Sequence, residues 1–164
     1  FVIPMAFARD NDRILLHGST GSRLMMKIAE GAQLCITVTK LNAIVVAKSA
    51  FNSSMNYESV MIFGKAKLLK DDEKMAAMTA ITEVLVPGMS TYARELKPKE
   101  VAGTMIVEVP LTKYSAKSRT GGVNDEPEDK ELPIWSGLIP LTTLRGAPVT
   151  AEDSAGIAVP PHIN

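Results

Sequence analysis

Residues 16–23 read Leu16-His17-Gly18-Ser19-Thr20-Gly21-Ser22-Arg23, and the architecture follows from them. An apolar run over 13–17 ends at His17, and small residues turn the chain. Leu24, Met25 and Ile28 then recur at helical spacing until Gly31. A strand therefore passes through a glycine–serine loop directly into a short helix. Ser22 suits its N-cap, because a hydroxyl accepts from the backbone N–H groups that a first helical turn leaves without partners. Those N–H groups also carry partial positive charge. Gly18 and Gly21 let the backbone approach a ligand, Ser19 and Ser22 offer hydroxyls, and Arg23 offers a planar fork that matches phosphate. On spacing alone the segment serves two readings: a phosphate cradle, or a capped turn with a solvated arginine.

Upstream, the apolar run over 1–7 and the turn Arg9-Asp10-Asn11-Asp12 make a hairpin with 13–17. Downstream, strands are predicted over 34–39, 44–51 and 57–69, with Gly64 marking a bulge or bend of the kind that closes barrels. Asp71, Asp72 and Glu73 complement the dipole of a helix over 71–86, whose stripe is Met75, Met78, Ile81, Thr82 and Leu85. Pro87-Gly88 stops it. A short turn surrounds 98–101, and a strand over 103–109 ends at Pro110. Lys117 and Arg119 then alternate with small residues, which puts both on one strand face, as a cofactor site or a solvated strand end. Residues 124–131 form an acidic loop expected to be solvated, and 132–144 carry the only tryptophan, Trp135. About six strands and two helices on short turns predict a mainly β fold: an antiparallel sheet closed into a barrel. The domain is expected over 1–145, with a C-terminal extension over 146–164 that wraps the surface or a partner subunit.

The chain has 164 residues, 46% hydrophobic and 22% charged, enough for a core without disulfides or a structural metal. Its 18 basic and 18 acidic residues cancel, which argues against a nucleic-acid or anionic-membrane binder. The lone Cys35 excludes a disulfide framework and a cysteine-ligated metal, suits a reducing cytoplasm, and is expected as a small core residue. No apolar run is long enough for a membrane helix, and no signal peptide is visible. There is no Walker A loop, nucleophile elbow or His-Glu-x-x-His, and the histidines are His17 and His162. Zinc and covalent hydrolytic chemistry are therefore not expected, and no metal site is assigned.

The chain carries in order Val2-Ile3-Pro4-Met5, Leu16-His17-Gly18-Ser19, Ser22-Arg23, Asn56-Tyr57-x-Ser59-Val60, Gly64-Lys65-Ala66, Ser115-Ala116-Lys117-x-Arg119 and Trp135-x-Gly137-x-x-Pro140. This combination resembles the flavin-nucleotide-binding branch of the pyridoxamine 5′-phosphate oxidase-like family, to which nitroimidazole-resistance proteins also belong. The resemblance implies an FMN-binding split β-barrel of antiparallel Greek-key type, with cofactor sites at a homodimer interface. It places backbone groups of Val2, Ile3, Pro4 and Met5 at the flavin ring and His17, Gly18 and Ser19 beside it. Ser22 and Arg23 take the phosphate, and Tyr57, Ser59 and Val60 line the ribityl side. Lys117 and Arg119 come from the partner, and Trp135 covers the cleft. The family's first helix and strand have no counterpart in this sequence.

Two departures matter. Leu24 stands where the oxidases have a second basic residue, and their C-terminal arginine and histidine pair has no counterpart in Arg145 and His162. A true pyridoxamine phosphate oxidase is therefore not expected. The expected function is an FMN-dependent oxidoreductase passing hydride from a nicotinamide to a small quinone- or nitro-type substrate. His17 is the proton-donor candidate, and Lys117 the cation that stabilises reduced flavin. A deazaflavin is a variant of this reading. The alternatives are a flavin or haem carrier or sensor, and a barrel that has lost its cofactor.

Overall fold

The computed structural model describes residues 2–163; Phe1, at the start of the predicted first strand, and Asn164, at the end of the predicted extension, lie outside the described residues. In chain order the elements are β1 (Phe7–Asp10), β2 (Arg13–Ser19), α1 (Arg23–Ala29), β3 (Gln33–Val46), β4 (Ser54–Lys65), β5 (Lys67–Leu68), α2 (Asp71–Leu85), α3 (Met89–Tyr92), α4 (Pro98–Gly103), β6 (Thr104–Pro110), β7 (Tyr114–Arg119) and β8 (Gly137–Pro140). The fold is mainly antiparallel β, as expected. Its strands form two four-stranded sheets, ordered β1-β2-β6-β5 and β7-β4-β3-β8, and the hydrogen-bonded ladders do not close a barrel. The chain divides into two compact units: residues 1–35, 63–113 and 146–164, and residues 36–62 and 114–145.

In the first unit, β1 and β2 pair from Asp10↔Arg13 to Phe7↔Leu16. Asn11 takes the positive φ that a tight turn requires, at 51°. The predicted strand over 1–7 is thus displaced: β1 begins at Phe7, and Val2–Ala6 pair with nothing, Val2 being fully exposed. The short turn sets the register, and β2 beyond Leu16 pairs only with β6.

The core on one face of this sheet consists of Ala8, Leu15, Leu69, Ala77, Ile81 and Ile106, with Met78 and Ala80 packed against it. Helix α2 packs on β1, β2 and β6. Its buried face is Ala77 and Ile81, while Met75 and Leu85 of the predicted stripe are 40% and 51% exposed. Small Ala77 and Ala80 allow close approach to the sheet, and the long side chains rotate outward. Ile14, Leu16, Val107 and Val109 are buried on the opposite sheet face, where the register pairs Leu16 with Val107 and Ile14 with Val109. Burying each such side chain contributes roughly 1.5–3 kcal/mol.

The second unit corrects several expectations. The separate strands over 34–39 and 44–51 are one strand, β3, because no glycine or proline interrupts 40–43. The turn falls over 49–52, leaving Phe51 93% exposed. The strand predicted over 57–69 starts at Ser54 and breaks at Ala66, after which β5 pairs with β6. Strand β8 pairs with β3, for example Val45↔Leu138, and Pro140 is tolerated because β8 is an edge strand. The acidic loop is solvated as expected, with Glu126, Glu128 and Glu131 exposed, and is also tethered: Asp125 accepts from the Lys48 N–H at 2.8 Å, and Lys48 Nζ donates to the carbonyls of Lys130 and Leu132.

Cys35, expected in the core, is exposed. Strand alternation turns Leu34 and Ile36 inward and Cys35 and Thr37 outward.

Candidate functional site

In the first unit the loop and helix form as the residues dictate. Ser22 is extended (ψ 121°), caps α1 and accepts from Met25 N–H at 3.4 Å, and Gly31 (φ 90°) follows the helix end. The loop is braced internally. Gly21 N–H donates to Ser19 Oγ (3.2 Å), Ser22 N–H to Ser19 O (3.0 Å) and Thr20 N–H to Gly103 O (3.0 Å). This leaves the N–H groups of Arg23 and Leu24 outward at the helix start. Arg23 is exposed and makes no ion pair among the described residues. These groups suit one phosphate.

Gly18 is required by packing. A Cβ there would lie 2.6 Å from Met25 Cγ, so the missing side chain is what lets α1 sit on β2. His17 pairs with Ile106 and shares its core-side face with Leu15, and its Nδ1 is buried without a hydrogen-bond partner. Val2–Met5 lie outside any ladder, with Val2, Ile3 and Pro4 exposed.

In the second unit the β4–β7 register pairs Tyr57 with Arg119 and Ser59 with Lys117, so these four share a face, while Val60 and Ala116 take the other. Ser59 Oγ lies 2.8 Å from Thr39 Oγ1. Lys117 is exposed and unpaired among the described residues. The Arg119 guanidinium is not loose: Nη1 donates to Asn56 Oδ1 at 2.6 Å. Sequence reasoning assigned Asn56 no role, although a lone amide among β-formers is a signal that a partner awaits it. Trp135 is 64% exposed and lies over Gly137, where a Cβ would come 2.8 Å from its ring.

His162, from the C-terminal segment, belongs to a different place in the first unit. Its ring meets Tyr92 edge-on at 5.0 Å and packs against Gly88. Glu83 braces this corner by accepting from the N–H groups of Gly88 and Ser90, both at 2.7 Å. Hydrogen bonds from Ser90 and Gly88 hold its carboxyl below the usual range. Among the described residues no acidic, histidine or cysteine cluster is arranged for a metal, and no helix is long and apolar enough to cross a membrane.

The profile of the pyridoxamine 5′-phosphate oxidase family matches residues 1–118. The chain is similar to the FAD and heme binding protein from Mycobacterium smegmatis: 38% identity, 98% of this chain and 80% of that one covered, TM-score 0.94. It is also similar to the flavocytochrome Anf3 from Azotobacter vinelandii, at 32% identity, 99% and 77% coverage and TM-score 0.90. A protein described as a 5-nitroimidazole antibiotic resistance protein from Bacteroides thetaiotaomicron shares the fold at 24% identity, 71% and 67% coverage and TM-score 0.52. No curated protein matches the chain. The chain belongs to the pyridoxamine 5′-phosphate oxidase family.

Proposed function

We propose that this member of the family binds a flavin nucleotide and is a redox protein of the cytoplasm. The observation that carries the reading is the segment over 17–23: a glycine that seats the helix on its strand, a capped helix start, and an exposed Arg23 with no protein partner. FMN is the cofactor expected from the sequence, and FAD is what the M. smegmatis relative binds. Both carry the phosphate that Ser22 and Arg23 would hold. Bound flavin supplies hydride transfer between a nicotinamide and a small quinone- or nitro-type acceptor. The protein's part is to fix the phosphate end, present the backbone of Val2–Met5, and offer Lys117 as an uncompensated cation to the flavin of the partner subunit.

A homodimer belongs to the same reading. Ile44 and Ile139 are opposed in the β3–β8 ladder yet 38% and 46% exposed, an apolar surface that a second copy would cover. A haem-binding reading has one observation of its own: buried His17 Nδ1 has no partner, and the M. smegmatis relative binds heme.

The test is titration with FMN and FAD followed by absorbance, then addition of NADH or NADPH. Binding is expected, with Arg23→Ala weakening it by roughly 1.5–3 kcal/mol. Unchanged affinity in that variant refutes the phosphate assignment. A flavin band that no nicotinamide bleaches makes the protein a carrier, and a haem band after reconstitution, lost in His17→Ala, favours the second reading.

A further inference from the structure

Asn56 is 6% exposed, and among the described residues it is the one polar side chain in the buried class. A buried amide is costly unless both its ends are satisfied, and here both are. Nδ2 donates to Gly121 O at 2.8 Å, and Oδ1 accepts from Arg119 Nη1 at 2.6 Å. The amide supplies a donor to one partner and an acceptor to the other, which neither a carboxylate nor an ammonium does.

Arg119 closes β7, an edge strand, and two glycines follow shortly after it. An arginine there would otherwise spread over many rotamers, and ordering it on ligand binding would cost affinity. Asn56 removes that freedom in advance. It uses one guanidinium N–H, and Nε and Nη2 have no protein partner among the described residues. A buried amide that holds one prong of a half-exposed guanidinium, with the other prongs uncommitted, is a device for presenting charge.

We propose that Asn56 is a positioning residue: across the homodimer proposed above, it fixes the Arg119 guanidinium so that its uncommitted N–H edge grips a phosphate oxygen of the flavin nucleotide seated on the partner subunit. This rests on the flavin reading above.

The experiment titrates the apoprotein with riboflavin, FMN and FAD, and repeats the titration with Arg119→Gln, Asn56→Ala and the double variant. Riboflavin has the ring and ribityl chain without phosphate. Both single variants are expected to bind FMN and FAD about tenfold or more weakly while riboflavin affinity stays unchanged. The double variant is expected to bind no more weakly than Arg119→Gln, because Asn56 acts through Arg119. Equal losses for riboflavin and FMN, or additive losses in the double variant, overturn the proposal, since both mark a merely structural role. Where Asn56→Ala fails to fold, Arg119→Gln decides alone: parental FMN affinity in it overturns the proposal. A parent that binds none of the three overturns the flavin reading itself and the inference with it.

Discussion

Alanine at position 18 tests the packing on which the candidate site rests. Its Cβ would come 2.6 Å from Met25 Cγ and 3.1 Å from Sδ, where unstrained carbon contacts need about 3.5–4.0 Å. Met25 is 1% exposed and cannot swing into solvent. Cγ also sits close to the helix backbone, so it moves only if χ1 changes or α1 shifts. Overpacking of this kind costs about 1–3 kcal/mol, and replacing a strand glycine returns about 0.5–1 kcal/mol of chain entropy. The net loss is therefore at most about 2.5 kcal/mol and centred near 1 kcal/mol, which for 164 residues lowers Tm by about 2–4 °C at that centre. Thermal melts of Gly18→Ala, Met25→Ala and the double variant separate this from a general effect. Met25→Ala alone leaves a cavity costing about 2–5 kcal/mol. In the double variant the new methyl fills part of that cavity, so the losses add to less than their sum. Because α1 carries the Ser22 cap and Arg23, flavin affinity should fall with Gly18→Ala as well. A Gly18→Ala protein more stable than the parent, or strictly additive losses, refutes the reasoning.

Other outcomes follow from the same fold. Burial of Glu108 pushes its pKa up, but hydrogen bonds from Arg13 and Lys67 outweigh it, so the carboxyl titrates below its ordinary value. A depressed folded pKa means stability present above the unfolded value and lost as pH falls through the folded one. Glu108→Gln should thus cost about 1 kcal/mol near pH 7 in urea melts, with the deficit shrinking below about pH 4; a pH-independent deficit would count against the ion pair. Gly88 has φ 84°, and a Cβ there meets the His162 ring at 3.3 Å. Gly88→Ala should cost about 1–2 kcal/mol and speed proteolysis after residue 146; parental cleavage rates would show that this corner does not hold the tail. Sedimentation should find a dimer at micromolar concentration, and a monomer alone would sink the homodimer reading.

The segment around Ser22 was legible because its signals are local. A capping serine, two glycines and an apolar triplet at helical spacing act within a dozen residues, and the helix forms where they put it. Helix α2 was legible in extent for the same reason, through its acidic first turn and the Pro87-Gly88 stop, and its buried face in part: Met78 and Ile81 of the expected stripe meet the core, Met75 and Leu85 do not. Several apolar stripes coexist on that helix, and the sheet selected the one where Ala77 allows close approach. Strand breaks went the same way. Residues 40–43 contain nothing that stops a strand, and the break at Ala66 reflects β5 finding β6 as its partner. Cys35 lies outward and Asn56 inward because strand parity is set by pairing with distant segments, not by the polarity of one residue. The bond from Arg119 to Asn56 joins residues 63 apart in the chain. Local chemistry chose the elements and the residues able to meet a phosphate. Long-range pairing chose which faces those residues occupy and which of their donors remain free, since register and burial depend on partners that no short stretch contains.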